Sequence, residues 1–442
     1  MKRLIFIPIA LVLVTSAILC SPRELPAADG ALDSEPISYS SPETDNPVAR
    51  LQERIDRGEA TLEFDSSQGY LRSVLHHLGI PVSSQGLVYS KTSFQRDQIS
   101  PATPRAIYFG DDAYIGWVQH GEVLELSAID PQKGAIFYVL PQRPVDRPQF
   151  RRQTHECLQC HESGMSQQVP GHFVRSVYPD RRGQPILSAG TFVTRDESPL
   201  RERWGGWYVT GTHGRQRHMG NLVVSERSPA FRPEDVDLES GANLTTLAGL
   251  CNTKPYLSPH SDIVALMVLE HQTQTHNLLT RANHLTRVAL RDEKSLNRAL
   301  GRDENERLES TTSRIRSAGE PLVRQLLFSE EAVLSDPIVG SSEFAHEFSQ
   351  RGRRDSQGRG LRDFDLHKRL FRYPLSYLIY SNAFDTQPDQ LKDYVYRRMW
   401  QILRGEDASG KFAHLTEDDR RTILAILRET KPDLPEYWKQ PD

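Results

Sequence analysis

Cysteine is scarce in this chain: 442 residues hold four, Cys20, Cys157, Cys160 and Cys251. A structural zinc site needs four ligands, and no second CxxC and no HxxxH accompanies the first pair. Charge of one sign is also lacking. The formal net charge is −4, with 54 basic and 58 acidic side chains intermixed. That balance gives no general attraction for nucleic acid or for an anionic membrane. The Arg-rich run 351–362 (RGRRDSQGRGLR) lacks interleaved aromatics, and its Gly and Ser content predicts a mobile surface loop. Long apolar runs are missing too. The longest, Leu4 to Val14, is broken by Pro8 and is short for a membrane-spanning helix. No internal repeat is visible.

That short run has the grammar of an export signal. Lys2 and Arg3 precede it, and Thr15, Ser16 and Ala17 supply small residues at the cleavage positions. The expected signal is residues 1–17. An uncleaved anchor, or lipidation at Cys20, is the alternative, although Leu19 is larger than the residue that usually precedes a lipidated cysteine. Residues 18–46 are rich in Ser, Pro, Glu and Asp and predict a disordered linker.

Two of the four cysteines fall in Cys157-Leu158-Gln159-Cys160-His161, the CxxCH attachment signature of c-type haem. Thiols two residues apart can both reach the vinyl groups on one porphyrin edge, and the adjacent histidine supplies its imidazole to the iron. A thioredoxin-like pair, a zinc knuckle and a plain disulfide compete. The first normally opens a helix in a βαβ unit, whereas this motif follows Pro141, Pro144 and Pro148. The last leaves His161 unexplained. Export and CxxCH agree, because such haem is attached outside the cytoplasm. The expected location is therefore the periplasm or the outer membrane face.

Length allows two or three domains. Val48–Glu59 and Gly69–Leu78 pattern as short amphipathic helices within an α+β region, 47–150. Strands are predicted at Arg105–Phe109, Ala113–Gln119, Glu122–Ile129 and Ala135–Leu140, an antiparallel meander closed by His120-Gly121 and by residues 131–134. In the third strand Leu124, Leu126 and Ala128 share a packed face. Glu125 and Ser127 fall on the opposite, wet face, with Val123 and Ile129 as apolar exceptions. A haem-binding cytochrome c-like region spans 151–225, with strands at Phe173–Tyr178, Pro185–Thr194, Trp204–Thr210 and Asn221–Ser225. The glycines of Trp204-Gly205-Gly206-Trp207 admit close approach of a second backbone or a flat ligand. Tryptophans packing a sheet core and a hairpin walling a porphyrin are the two readings. From 259 to 442 the pattern is helical: Pro259–Thr286, with Ser258 as its cap, then Gln325–Leu334, Asp363–Tyr380, Pro388–Arg404 and Thr416–Thr430. The class is α+β, an antiparallel β-rich first half with an embedded haem site and a helical second half. Cys251 is left as a buried thiol.

His161 is the expected proximal ligand of one covalent haem c. The sixth position decides function, since a second strong ligand makes an electron carrier and an open one permits peroxide or small-molecule chemistry. Met219 leads the candidates, in a Gly-flanked loop after a strand; His218 and His271 follow, with His213 a further rival in the loop. His271 is centred on the stripe Val264, Met267, Val268, Leu278 and Ala282, where a hydrogen-bonded core histidine competes with a haem-facing one. Haem propionates need cations; Arg151, Arg152 and Arg175 are the arginines nearest to CxxCH in sequence, with Arg175 the candidate.

Four runs carry a resemblance: SKTSFQR (90–96) with ISPATPRAIYF (99–109), CLQCH (157–161), RWGGWYVTGTHG (203–214) and SDIVALMVLEH (261–271). With them the chain, over about residues 70–440, resembles a family of large exported bacterial proteins named for a cytochrome c domain. The resemblance implies haem binding and electron transfer, with Cys157 and Cys160 as thioether sites and His161 as ligand, and supplies no substrate. The chain departs from compact cytochromes c in lacking a Met-Pro loop and a short helical frame. Three functions follow as expectations: an exported monohaem electron carrier, a single-haem peroxidase-like oxidoreductase, and a module whose helical half docks a redox complex.

Overall fold

Alternation of period two builds the centre of the molecule. The computed structural model describes residues 32–224 and 236–439. The expected signal peptide and Cys20 lie outside them, as does Ser225. Two helices come first, α1 (Pro47–Asp56) and α2 (Leu71–His77). Asn46 caps α1, its side-chain oxygen accepting from the Val48 and Ala49 amides. The strands are β1 (Gly86–Val88), β2 (Arg105–Phe109), β3 (Ala113–Trp117), β4 (Val123–Asp130), β5 (Gly134–Pro141) and β6 (Arg151–Gln153). They form an antiparallel meander. After β7 (Val174–Val177) and β8 (Thr191–Thr194), which pair with each other, β9 (Trp207–Tyr208) joins the free edge of β1 and completes a seven-stranded sheet. β2 to β5 match the four predicted strands within a residue or two at each end; β1 and β6 extend the meander beyond the prediction.

The sheet is covered on both faces. Leu124, Leu126 and Ala128 point to one core with α1, α2 and Tyr108. The other face is buried as well, which corrects the expected wet face of β4: Ser127 is 6% exposed and Ile129 5%. Its cover is α3 (Ile263–Ala299), together with the segment that carries CxxCH. Residues 32–46 are likewise packed rather than a free linker. Leu32, Ile37 and Tyr39 are buried, the Tyr39 hydroxyl donates to the Ala135 carbonyl at 2.9 Å, and Lys133 Nζ donates to the carbonyls of Ser41 and Glu43. A few apolar anchors suffice where backbone acceptors meet a buried lysine.

α3 begins later and runs further than expected. Asp262, not Ser258, caps it, accepting from the Val264 and Ala265 amides. Residues 263–280 are buried all round, so no stripe distinguishes one side. One side meets the sheet and the other meets the helical layer: α4 (Glu309–Leu326), α5 (Phe344–Gln350), α6 (Asp389–Leu403) and α7 (Glu417–Thr430). α4 replaces the helix expected at 325–334, and Phe328 at φ 53° ends any continuation. Residues 363–376 are turns and bends rather than helix, with a single 3-10 turn at Tyr377–Tyr380. Pro374 removes an amide from the middle of that stretch. The last two helices stand where predicted, α7 with a capping box between Thr416 and Asp419. The Arg-rich run is tied down rather than loose: Arg354 pairs with Asp363, Arg359 with Asp355 and Arg362 with Asp111. No helix among the described residues is long and apolar enough to cross a membrane.

Candidate functional site

CxxCH occupies the start and body of one helical turn, Leu158–His161. Three residues of spacing put Cys157 and Cys160 on neighbouring positions of that turn. Both thiols are free; Cys157 is half-buried and Cys160 exposed. Burial, reinforced by Glu125 and Glu156, pushes the Cys157 thiol up to about 11. A nucleophilic redox cysteine needs the opposite shift, so the site does not suit thioredoxin-type exchange.

His161 is positioned by a closed loop. The Gly171 amide donates to the His161 carbonyl at 2.9 Å, and His161 Nδ1 lies 2.8 Å from the Gly171 carbonyl. A carbonyl only accepts, so Nδ1 carries the proton and Nε2 keeps its lone pair. This is the orientation that a metal-binding imidazole requires, with its other nitrogen held by a backbone oxygen. Asn277 on α3 fixes the far end of the loop, accepting from the His172 amide at 3.0 Å and donating to the His172 carbonyl at 2.6 Å. A side chain at Gly171 would collide with the Asn277 amide, so the loop closes only with glycine there. Phe137, Phe173 and His172 surround the His161 ring, with centroids 4.8, 5.5 and 6.1 Å away. Burial lowers the His161 pKa and keeps the ring neutral.

Beside the turn lies a charged pair on the same sheet face. Arg105 Nη2 meets Glu125 Oε2 at 2.5 Å, and Ser93 and Gln95 also donate to Glu125. Both charges act on Cys157 and on His161. Gly116 makes the pair possible, because a Cβ there would collide with the Arg105 guanidinium crossing it.

The remaining expected residues are elsewhere engaged. Arg175 donates from Nε to the Thr191 hydroxyl at 2.9 Å, and its carbonyl accepts from Trp207 Nε1. Met219 is buried with Tyr178, Leu222 and Val224, and its sulfur accepts from the Ser176 hydroxyl at 3.6 Å. His218 packs edge-on to Trp204 and 4.6 Å from the His213 ring. His213 itself has Nδ1 at the Gln216 carbonyl and Nε2 accepting from the Asn243 amide. His271 has both nitrogens bonded, Nδ1 to Asp196 and Nε2 to Ser376, each at 2.7 Å, so it is the hydrogen-bonded core histidine. Trp204 and Trp207 are buried in the same core cluster as Val264 and Val268, and Gly205 lets the Val177 carbonyl approach.

Cys157, Cys160 and His161 are thus the residues that could hold a haem: two thiols for thioether bonds and one neutral imidazole with a free nitrogen, walled by phenyl rings. Among the described residues no group of three or more His, Cys, Asp or Glu is placed to hold a metal ion directly, which disfavours the zinc knuckle. Gly171, Asn277, Phe137, Arg105 and Glu125 escaped sequence reasoning. Glu125 alone left a signal, as the charged residue on a strand whose alternate residues are apolar. No protein-family model, curated protein or solved structure matches the chain.

Proposed function

We propose that this protein is an exported monohaem c-type cytochrome that passes electrons between partners outside the cytoplasm. The observation that carries the reading is His161, whose Nδ1 is committed to the Gly171 carbonyl while Nε2 is left to bind iron, on one turn with two free thiols. Haem, when bound, supplies a one-electron couple. The chain's own contribution is to hold the imidazole neutral and oriented, to wall the site with Phe137 and Phe173, and to set the Arg105–Glu125 pair beside it. Ligand basicity and hydrogen bonding then tune the potential. The test is a haem stain and pyridine haemochrome assay on protein matured with the c-type assembly machinery. Covalent haem is expected in the wild type and is expected to vanish in the Cys157→Ala, Cys160→Ala double variant. Its absence from the first or persistence in the second refutes the reading.

A second reading, a peroxidase-like oxidoreductase, is favoured by one finding. Met219 and His271 each spend their donor atoms on other partners, and His218 is packed between Trp204 and His213. An iron ligated by His161 alone would keep an open position. A high-spin ferric spectrum and peroxide turnover are the expected signs; a six-coordinate low-spin spectrum inert to cyanide excludes it.

A further inference from the structure

Behind His161 runs a line of buried rings. The His172 ring lies 6.1 Å from that of His161 and 4.3 Å from that of Tyr114. The Tyr114 hydroxyl then meets His276 Nδ1 on α3 at 2.9 Å. The network fixes the direction of that bond. Gln272 Nε2 donates to the Gly110 carbonyl, which can only accept, so the amide orientation is determined. The same nitrogen donates to the Tyr114 oxygen, and Gln272 Oε1 is taken by the Tyr377 hydroxyl. The Tyr114 proton is left to point at His276 Nδ1.

The far side of His276 is unusual. Nε2 and Asp112 Oδ1 are both buried, both without a hydrogen bond, and they face each other at 3.9 Å. Unsatisfied buried polar atoms are costly and call for an explanation. This pair has one if the imidazole becomes cationic during function, because Asp112 then stands ready to stabilise it. Burial keeps His276 neutral at rest, pushing it down to about 3, and keeps the Tyr114 phenol un-ionised.

We propose that Tyr114 is a redox-active tyrosine that gives an electron through His172 and His161 to the haem site and its proton to His276. The proposal rests on the second, open-position haem reading above and names a hydroperoxide as oxidant. Haem held by Cys157, Cys160 and His161 would supply the two electrons that cleave the peroxide O–O bond, one oxygen leaving as water with both peroxide protons, and Tyr114 would refill one of the two vacancies. The phenol O–H bond breaks as the second N–H bond of His276 forms. A neutral phenoxyl radical remains beside an imidazolium paired with Asp112. Such a relay moves an oxidising equivalent away from the iron and into the protein interior, next to Gln272 and Tyr377.

The experiment is freeze-quench electron paramagnetic resonance on the full-length, haem-loaded protein mixed with hydrogen peroxide. Covalent haem is quantified on the same preparation. An organic radical is expected whose signal narrows with ring-deuterated tyrosine and is lost in Tyr114→Phe. Fluorotyrosine placed at position 114 keeps every hydrogen bond and is expected to add fluorine splitting, which decides the matter if the phenylalanine variant misfolds. In His276→Gln the radical is expected to form in lower yield, its proton acceptor being gone; an unchanged yield refutes the role given to His276. A loaded protein that yields no radical, or one without fluorine splitting from position 114, overturns the proposal alone. A preparation without covalent haem overturns the haem reading and the relay with it.

Discussion

Gly116 shows how one residue governs the neighbourhood of CxxCH. It is the only amino acid that lets Arg105 cross β3 to reach Glu125, and both partners are mostly buried, at 20% and 16% exposure. In Gly116→Val the guanidinium is expected to swing away and leave Glu125 with only Ser93 and Gln95. Breaking a buried pair costs about 3–5 kcal/mol, and partial exposure brings the expected loss to about 2 kcal/mol. Urea unfolding measures it; an unchanged midpoint refutes the role given to Gly116. Single residues also set the pH response. Burial pushes His276 down to about 3 and His284 down to about 4. Below about pH 6.5 the unfolded chain takes up protons that these folded rings refuse, so stability falls as the solution is acidified. Glu331 is pushed the other way, up to about 8, by burial and then by Asp196. Between its ordinary range and about 8 the folded chain holds a proton that the unfolded chain has released, so stability falls as pH rises through that window. Burial also lowers His161, His172, His213, His218 and His414 and raises Asp112 and Glu270, so the lowered histidines outnumber the raised carboxyls below pH 6.5, and thermal melts are expected to peak near there. Glu331→Gln is expected to flatten the alkaline decline; an unaltered decline assigns it elsewhere.

Among the elements, α3 owes its start to Asp262, and the cap does more than cap. Besides the Val264 and Ala265 amides, the carboxylate accepts from the amides of Ser341 and Ser342 and from the Ser342 hydroxyl. An ordinary cap is worth about 1 kcal/mol, the expected loss for Thr416→Ala at α7. Asp262→Ala strands two further amides in a buried place, and about 3 kcal/mol is expected. Guanidinium denaturation of the two variants side by side tests the difference. Helices were legible in the sequence to the degree that one face was wet, and strands to the degree that turns bounded them, although both faces of β3 to β5 are buried. β2 to β5 read correctly from alternation and their Gly-containing turns. α1, α2, α6 and α7 read correctly because each buries one stripe. Asp363–Tyr380 misled because its apolar side chains feed an aromatic cluster of Phe348, Phe364, Phe371 and Tyr377 from turns, not from a helix. α3 could be found but not oriented: both faces of its first half are buried.

For the whole molecule, the decisive fact is that the larger core crosses the division between β-rich and helical halves. Phe109, Phe137 and Trp207 pack in one cluster with residues of α3, α4 and α6. Residues 1–258 alone are therefore expected not to fold cooperatively: Trp204, 0% exposed here, loses its cover. Near-UV circular dichroism and a thermal melt check this; a sharp transition in that fragment shows that the first half is autonomous. Deleting the helical half consequently cannot isolate a docking function, which calls for surface substitutions instead.

What the sequence determined by itself is what depends on nearest neighbours in the chain. CxxCH, the period-two strands and the capped helices α6 and α7 are local, set by spacing and by backbone hydrogen bonds a few residues apart. Only the tertiary structure decided which atoms face His161. The His172 backbone next to Gly171 is held by Asn277, more than a hundred positions away, and the Arg105–Glu125 pair crosses a strand. It also withdrew the expected sixth-ligand candidates into hydrogen bonds and packing of their own, and it assembled His172, Tyr114 and His276 into one line. The physical reason is burial: inside a packed protein most polar atoms are committed to partners that only the fold can bring to them.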